Sequence, residues 1–503
     1  MVGFINFFLG NSVENKPNSQ DMRDRWSEVQ KNGLKKTVLI ADTTSVTPRP
    51  FSSDSVQLFR AQLPKGVDKN QFIFSQNGLP MNSIVLNISL GSGNVFLSDK
   101  IARAALKANP NIKFIIPLQE IFKSTEDVNY KKHLKNIANS WQIPEKNIVL
   151  VSSRMGAWPQ DGIAFGGGGV VRADLKLDPN HKVTAHEATD IASALGLSVV
   201  EESDVGRFGD TQLFSKKDGS QVVVFGSETM DRVLTNKFGL HGDSNSDRMI
   251  AIGLVMKQFS TKGVSPSNIL PIGKSKLTYG DVLNKMSSAD KRKIDPICLK
   301  EFKKRHNLPF PEENIKYHSD LVVFSAGNDV AFINETDKQK YPELSKQLLY
   351  SGLQPVSLPS INTNNRSPSE IKKMEEIGID LVKLDRDTVI GGDVKGSYLN
   401  AISGIMPDGK TAILMPTESN SLEHLTQNDK NARNIILESV PNSIVIPIGG
   451  STALQVYGSV PLKTGGLLAG KDYGPHCLSK LTPFIIQPIM PKTIGDFNNR
   501  NGF

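Results

Sequence analysis

The sequence predicts an α/β protein assembled from a repeated strand–strand–helix–strand unit, and three observations predict it. Segments with the apolar spacing of a helix alternate with short β-branched runs along most of the chain. Hairpin signals stand between them: Lys-Asp-Gly in GDTQLFSKKDGSQVVVFG and Pro-Asp-Gly in SGIMPDGKTAILMP. A simple doubly wound sheet has no need of antiparallel hairpins inside each unit, whereas a strand–strand–helix–strand module does. The unit recurs about five times.

Taken in order, residues 10–35 are polar and read as a mobile lead-in ending in a short helix. TVLIADT follows as a strand, and after a Pro/Ser-rich loop NSIVLNISL reads as another. SDKIARAALKAN has helical spacing with Ser98 as its N-cap, and IKFIIPL is the next strand. VNYKKHLKNIANSW leads to the strand NIVLVSS, and AHEATDIASALG leads to LSVVEES. In SPSEIKKMEEIG the start and stop signals occur together: Ser367 caps, Pro368 opens the first turn, Glu370 closes the box and Gly378 ends the helix. DLVKL follows, and KNARNIILESV with NSIVIPIGG repeats the pattern.

Composition narrows the function classes. With 38% hydrophobic and 22% charged residues, the 503-residue chain can bury a large core and is not disordered throughout. Its two cysteines, Cys298 and Cys477, exclude a disulfide framework and suit a reducing compartment. MVGFINFFLGNS lacks a basic n-region and a small-residue cleavage site, and no apolar run reaches the ~20 residues that span a bilayer. The expected location is therefore cytoplasmic, or outside the cell by a route without a Sec signal, with no membrane partner. The net charge of +8 is spread among acids, and the densest cluster, Lys291, Arg292 and Lys293, reads as a solvated helix face. No aromatic-interleaved basic stripe marks a nucleic-acid platform.

Several motifs fail. GGLLAGKD has Asp472 where a phosphate loop needs a Ser or Thr, and ILPIGKS has Asn268 where its first glycine belongs. FGGGGVV lacks the spacing of a dinucleotide fingerprint, and His181 and His186 in HKVTAH do not form a metalloprotease motif. Neither a cofactor nor a metal is expected.

Four segments remain. GAWPQDGIAF places Asp161 before a glycine and an apolar strand; GRFGDTQLF carries Asp210; KYHSDLVVFSAGNDVAFIN opens with His318 and Asp320; and YGPHCLSK carries Cys477. Singly, each has an ordinary reading: a turn whose Asp caps its own backbone, a surface His–Asp pair, a buried thiol. If the apolar stretch after His318 is a strand, spacing of two puts His318 and Asp320 on one face.

Together, W-x-x-D-G, then H-x-D, then a C-terminal H-C resemble the guanidino-group-modifying enzymes of the pentein fold, closest to peptidylarginine and agmatine deiminases. The likeness runs from about Ile112 to about Leu481 in short islands: AWPQDGIAF, RFGDTQLF with VVVFGS, HGDSNSDRMIAIGLVMKQF, YHSDLVVF and YGPHCLSK. The resemblance implies a pentein-type α/β propeller of five ββαβ modules with pseudo-fivefold symmetry. It divides the chain into an N-terminal extension, partly mobile, over 1–77 and a catalytic domain over 78–503. Leu478 and Ser479 depart from the Gly or Ile with Thr common after the cysteine.

The resemblance implies these roles. Asp161 and Asp320 clamp a planar guanidinium from opposite edges. Cys477 attacks as a thiolate, which a nearby cation favours. His318 protonates the departing ammonia and then activates water. His476 is structural. Trp158, Asp210, Arg172 and Arg207 are further substrate-binding candidates, the two arginines by position only. The substrate is a protein arginine or a small guanidino compound. Two alternatives use the same fold, an amidinotransferase with the same residues and an inactive pentein acting as a binding module. A third is an ordinary doubly wound protein with an incidental cysteine.

Overall fold

The computed structural model describes residues 57–75, 77–86, 95–153, 162–173, 182–203, 209–238, 244–313, 315, 318–360, 398–417, 425–448, 459–461, 467–469 and 479–489. The strand TVLIADT, the helix SPSEIKKMEEIG and the strand DLVKL lie outside the described residues. The fold is mixed α/β, and among the described residues three of its sheets share one connectivity while two others carry its parallel half.

In the three, a hairpin strand pairs antiparallel with its neighbour, and the chain returns through one or more helices to a parallel strand on the other side. Ser83–Leu86 lies between Ser479–Thr482, antiparallel, and Lys113–Leu118, parallel, reached through the helix Val95–Ala108. Ile148–Ser152 extends this sheet after the helix Val128–Trp141. The hairpin Ile163–Gly166 with Gly169–Ala173 gains Ser198–Ser203 across the helix Lys182–Ala194. Thr211–Ser215 and Gln221–Phe225 gain Ile269–Pro271 after the helices Ser227–Phe238 and Asn245–Ser260. Val330–Asn334 pairs parallel with Gln354–Leu358, its antiparallel arm reduced to the Phe324–Phe332 bridge. Ile402–Ile405 and Thr411–Met415 gain Ser443–Pro447 across the helix Gln427–Ser439, with Leu79–Pro80 on the far edge. Parallel neighbours need such a crossover, which is why hairpins and helices alternate in the sequence.

Both Asp-Gly turns form. Gly219 and Gly409 take φ of 81° and 82°, a backbone region costly for side chains with a Cβ, and Lys216 N–H and Met406 N–H close the loops onto Ser220 O and Lys410 O. One boundary differs from expectation. Ser98 does not cap its helix, which begins at Val95; Ser98 lies inside the first turn and is buried. The apolar VFL ahead of it extends the helix upstream, so the position faces the core and not the end.

The chain's ends meet in the body. Phe59–Gln62 pairs antiparallel with Ile485–Pro488, Leu58 and Ala61 donate to the carbonyls of Ala194 and Leu195, and Phe74 N–H bonds Phe165 O at 2.7 Å. Helix Asn245–Ser260 is buried nearly all round, with Met249, Ile250, Ile252, Val255, Met256 and Phe259 in one cluster with Ile294, Cys298 and Phe302. Burying such side chains contributes about 1.5–3 kcal/mol each, which makes this helix a rigid backing for the elements around it. Among the described residues, no helix is long and apolar enough to cross a membrane.

Candidate active site

His318 and Asp320 are held on a tight turn. The sequence suggested a strand, but His318 precedes a 3-10 turn over Ser319–Leu321, closed by Leu321 N–H to His318 O and by Val322 and Val323 N–H to Ser319 O. The turn wins because its hydroxyl is captured: Ser319 Oγ donates to Asp210 O at 2.8 Å, and Asp320 N–H reaches Gly209 O at 3.4 Å. The side chains still come together, with His318 Nδ1 4.0 Å from Asp320 Oδ1. Asp320 is 2% exposed and His318 8%. Asn400 donates to the other Asp320 oxygen at 3.4 Å.

A residue that the sequence did not single out faces the imidazole. Glu228, in the first turn of the helix Ser227–Phe238, places Oε2 3.2 Å from His318 Nε2. Its other oxygen accepts from Arg232 Nε and Nη2 at 3.1 and 2.9 Å, a forked contact that fixes the carboxylate's orientation. The imidazole thus has a carboxyl group opposite each ring nitrogen.

Asp210 lies beneath this pair and is fully buried. Its Oδ2 accepts from the Thr229 amide at 2.7 Å and the Thr229 hydroxyl at 2.8 Å. Its Oδ1 packs on Gly226, where an added Cβ would sit 2.3 Å away. Burial, then the neighbouring Glu228 carboxylate, pushes the Asp210 carboxyl up to about 7; His318 opposes this. Arg172, half-buried on its strand, donates to Thr189 Oγ1 at 3.4 Å.

The structure therefore brings together His318, Asp320, Asp210 and the unforeseen Glu228. Asp161, Trp158, Arg207, His476 and Cys477 lie outside the described residues. By position, Asp161 stands two residues ahead of the strand Ile163–Gly166, and Cys477 two ahead of Ser479–Thr482. Cys298 is buried and donates to Gly253 O at 3.4 Å; burial and Asp295 push its thiol up to about 11.

The fold is mixed α/β, and its described site is a buried histidine between carboxyl groups. Its structural neighbours are agmatine deiminases. The C. jejuni agmatine deiminase superposes with a TM-score of 0.43 and 11% identity, covering 82% of this chain and 95% of that one. A cysteine-to-serine variant of it with substrate bound gives 0.41 and 12%, over 81% and 96%. No family model matches the chain, and no curated protein matches it.

Proposed function

We propose that this chain is a hydrolase that deiminates a guanidino group, on an arginine side chain or an arginine-like compound, to a ureido group with release of ammonia. The observation that carries the reading is the buried turn on which His318 and Asp320 meet, with Glu228 closing the other side of the imidazole. Asp161, Cys477 and the substrate-binding candidates enter through the motif resemblance. Three sheets of common connectivity and two that carry its parallel half support, on this reading, a ring of five ββαβ modules whose inner strand ends carry the site.

The chemistry follows from the groups. A guanidinium resists attack because its charge is delocalised over three nitrogens, so it has to be held flat and polarised. Asp320 and Asp161 accept its N–H bonds from two edges. The Cys477 thiolate forms a C–S bond at the central carbon, giving a tetrahedral adduct. His318 passes a proton to one nitrogen, the C–N bond breaks, and ammonia leaves a thiouronium on the sulfur. Water then gives its proton to His318 and its oxygen to the carbon. Breaking the C–S bond releases the ureido product and restores the thiolate. Glu228, anchored by Arg232, keeps the imidazole aligned through both transfers.

The two carboxylates supply the test. Asp161→Asn and Asp320→Asn should each leave the fold intact by circular dichroism and abolish turnover of a guanidino substrate. Truncating one partner of a desolvated charge pair costs about 2–5 kcal/mol. Ammonia release at the wild-type rate by either variant would remove that carboxylate from the clamp.

A further inference from the structure

Glu228 and the His318–Asp320 turn come from separate stretches of chain, and both hang on the same two residues. Gly209 and Asp210 precede the strand Thr211–Ser215. The Asp210 carbonyl accepts from Gly226 N–H at 3.1 Å on one side and from Ser319 Oγ at 2.8 Å on the other. The Asp210 carboxyl takes the amide and hydroxyl of Thr229, the residue after Glu228. Thr229 Oγ1 is also 2.9 Å from Thr211 Oγ1, and Gln212 Nε2 reaches Ser319 Oγ and Val323 O at 3.3 and 3.2 Å.

We propose that Asp210 is a positioning residue for His318: it ties the helix start that carries Glu228 to the turn that carries His318 and Asp320, and so fixes the carboxylate–imidazole contact. The inference deepens the deiminase reading, which gives His318 the proton transfers. It gives Asp210 a role beneath the site in place of the substrate contact expected from its motif. Three features support it. The residue is fully buried, one oxygen of its carboxyl takes both Thr229 donors, and Gly226 leaves the other room that any Cβ would take.

The described charged groups around the imidazole are Glu228 and Arg232 on the helix, Asp320 on the turn, and Asp210 beneath. Glu228 and Asp320 favour the imidazolium, so loosening Glu228 should move the His318 titration to lower pH. The experiment is an NMR titration of the imidazole in the full chain with labelled histidine, His318 being assigned by His318→Gln, without substrate. Asp210→Ala should lower the midpoint by about half a unit or more. Asp210→Asn, which keeps an acceptor for the Thr229 amide, should recover at least half of that. An Asp210→Ala midpoint equal to the wild type, or an Asn variant no nearer the wild type than Ala, would overturn the proposal. If Asp210→Ala does not fold, Ser319→Ala replaces it, since it cuts only the hydroxyl tether; a midpoint unchanged there would overturn it equally. With a guanidino substrate, Asp210→Ala should lose about tenfold in kcat with little change in KM. Absence of turnover by the wild-type chain would overturn the deiminase reading alone, because the titration decides the positioning role without it.

Discussion

Glu228 divides its carboxylate between Arg232 and His318, and this division explains why the site was only half legible. His318 and Asp320 stood out because two chemically able residues two apart open an apolar stretch. Glu228 did not, because an acid in the first turn of a helix is what the helix dipole favours anywhere. Asn400 was invisible for a related reason: its contact with Asp320 joins residues 80 positions apart. The two cysteines separate more cleanly. Cys298 sits against Gly253 O with its thiol pushed up to about 11, so at neutral pH it holds almost no thiolate. A haloacetamidine reagent should therefore label the native chain at Cys477. Cys298→Ala should leave both labelling and activity unchanged, and Cys477→Ala should lose both. Mass-spectrometric mapping of the adduct checks this, and label on Cys298 in the native state would refute it.

Among the elements, the alternation of helices and strands is readable because each parallel pair needs a crossover and two of the hairpins carry an Asp-Gly turn. The two misreadings share a cause. Ser98 and the H-x-D segment were assigned from local pattern, and in both places burial or a distant partner set the outcome: a longer helix around Ser98, a 3-10 turn clasped by Asp210 at Ser319. The junction of strand, helix and turn at Asp210 also makes two predictions about stability. Its carboxyl keeps a proton in the folded chain up to about 7, whereas the unfolded chain releases it in the ordinary carboxylate range. Between those limits the folded state holds more protons. This contribution to stability is therefore full below the ordinary range and is lost as pH rises through about 7. Urea denaturation at a series of pH values should show that decline, and Asp210→Asn should flatten it. Gly226→Ala would set a Cβ 2.3 Å from Asp210 Oδ1, with no flexible chain to yield, because the other oxygen is fixed by Thr229. Overpacking of this kind costs about 1–3 kcal/mol. The denaturation midpoint should fall accordingly, and the Thr229 amide should lose protection from hydrogen exchange. An unchanged midpoint would show that the junction is looser than its contacts imply.

For the whole molecule, the described site is a composite of segments that belong to different sheets. His318 belongs to the segment before Val330–Asn334, Glu228 to the helix after Gln221–Phe225, and Asn400 to the approach to Ile402–Ile405. Glu228 and Asn400 lie within three residues of a strand end, where a rigid sheet can present a side chain from a loop, and His318 is held by its own 3-10 turn. The N-terminal and C-terminal strands clasp each other through Phe59–Gln62 with Ile485–Pro488 and Ser83–Leu86 with Ser479–Thr482. This clasp anchors the strand that follows Cys477 in the same body as His318. The strand rhythm was legible from composition and turns, but this closure was not, since it pairs segments about 400 residues apart. The proposed hydrolysis of a guanidino group at this composite site is read out by ammonia release. The purified chain would be incubated with arginine, agmatine and an arginine-rich protein, while ammonia and the ureido product are measured together. Equal amounts of ammonia and ureido product are expected from at least one of the three, both lost in Cys477→Ala and His318→Gln. No ammonia from any of them, or an amidino group transferred to an added amine with no ammonia formed, would contradict it.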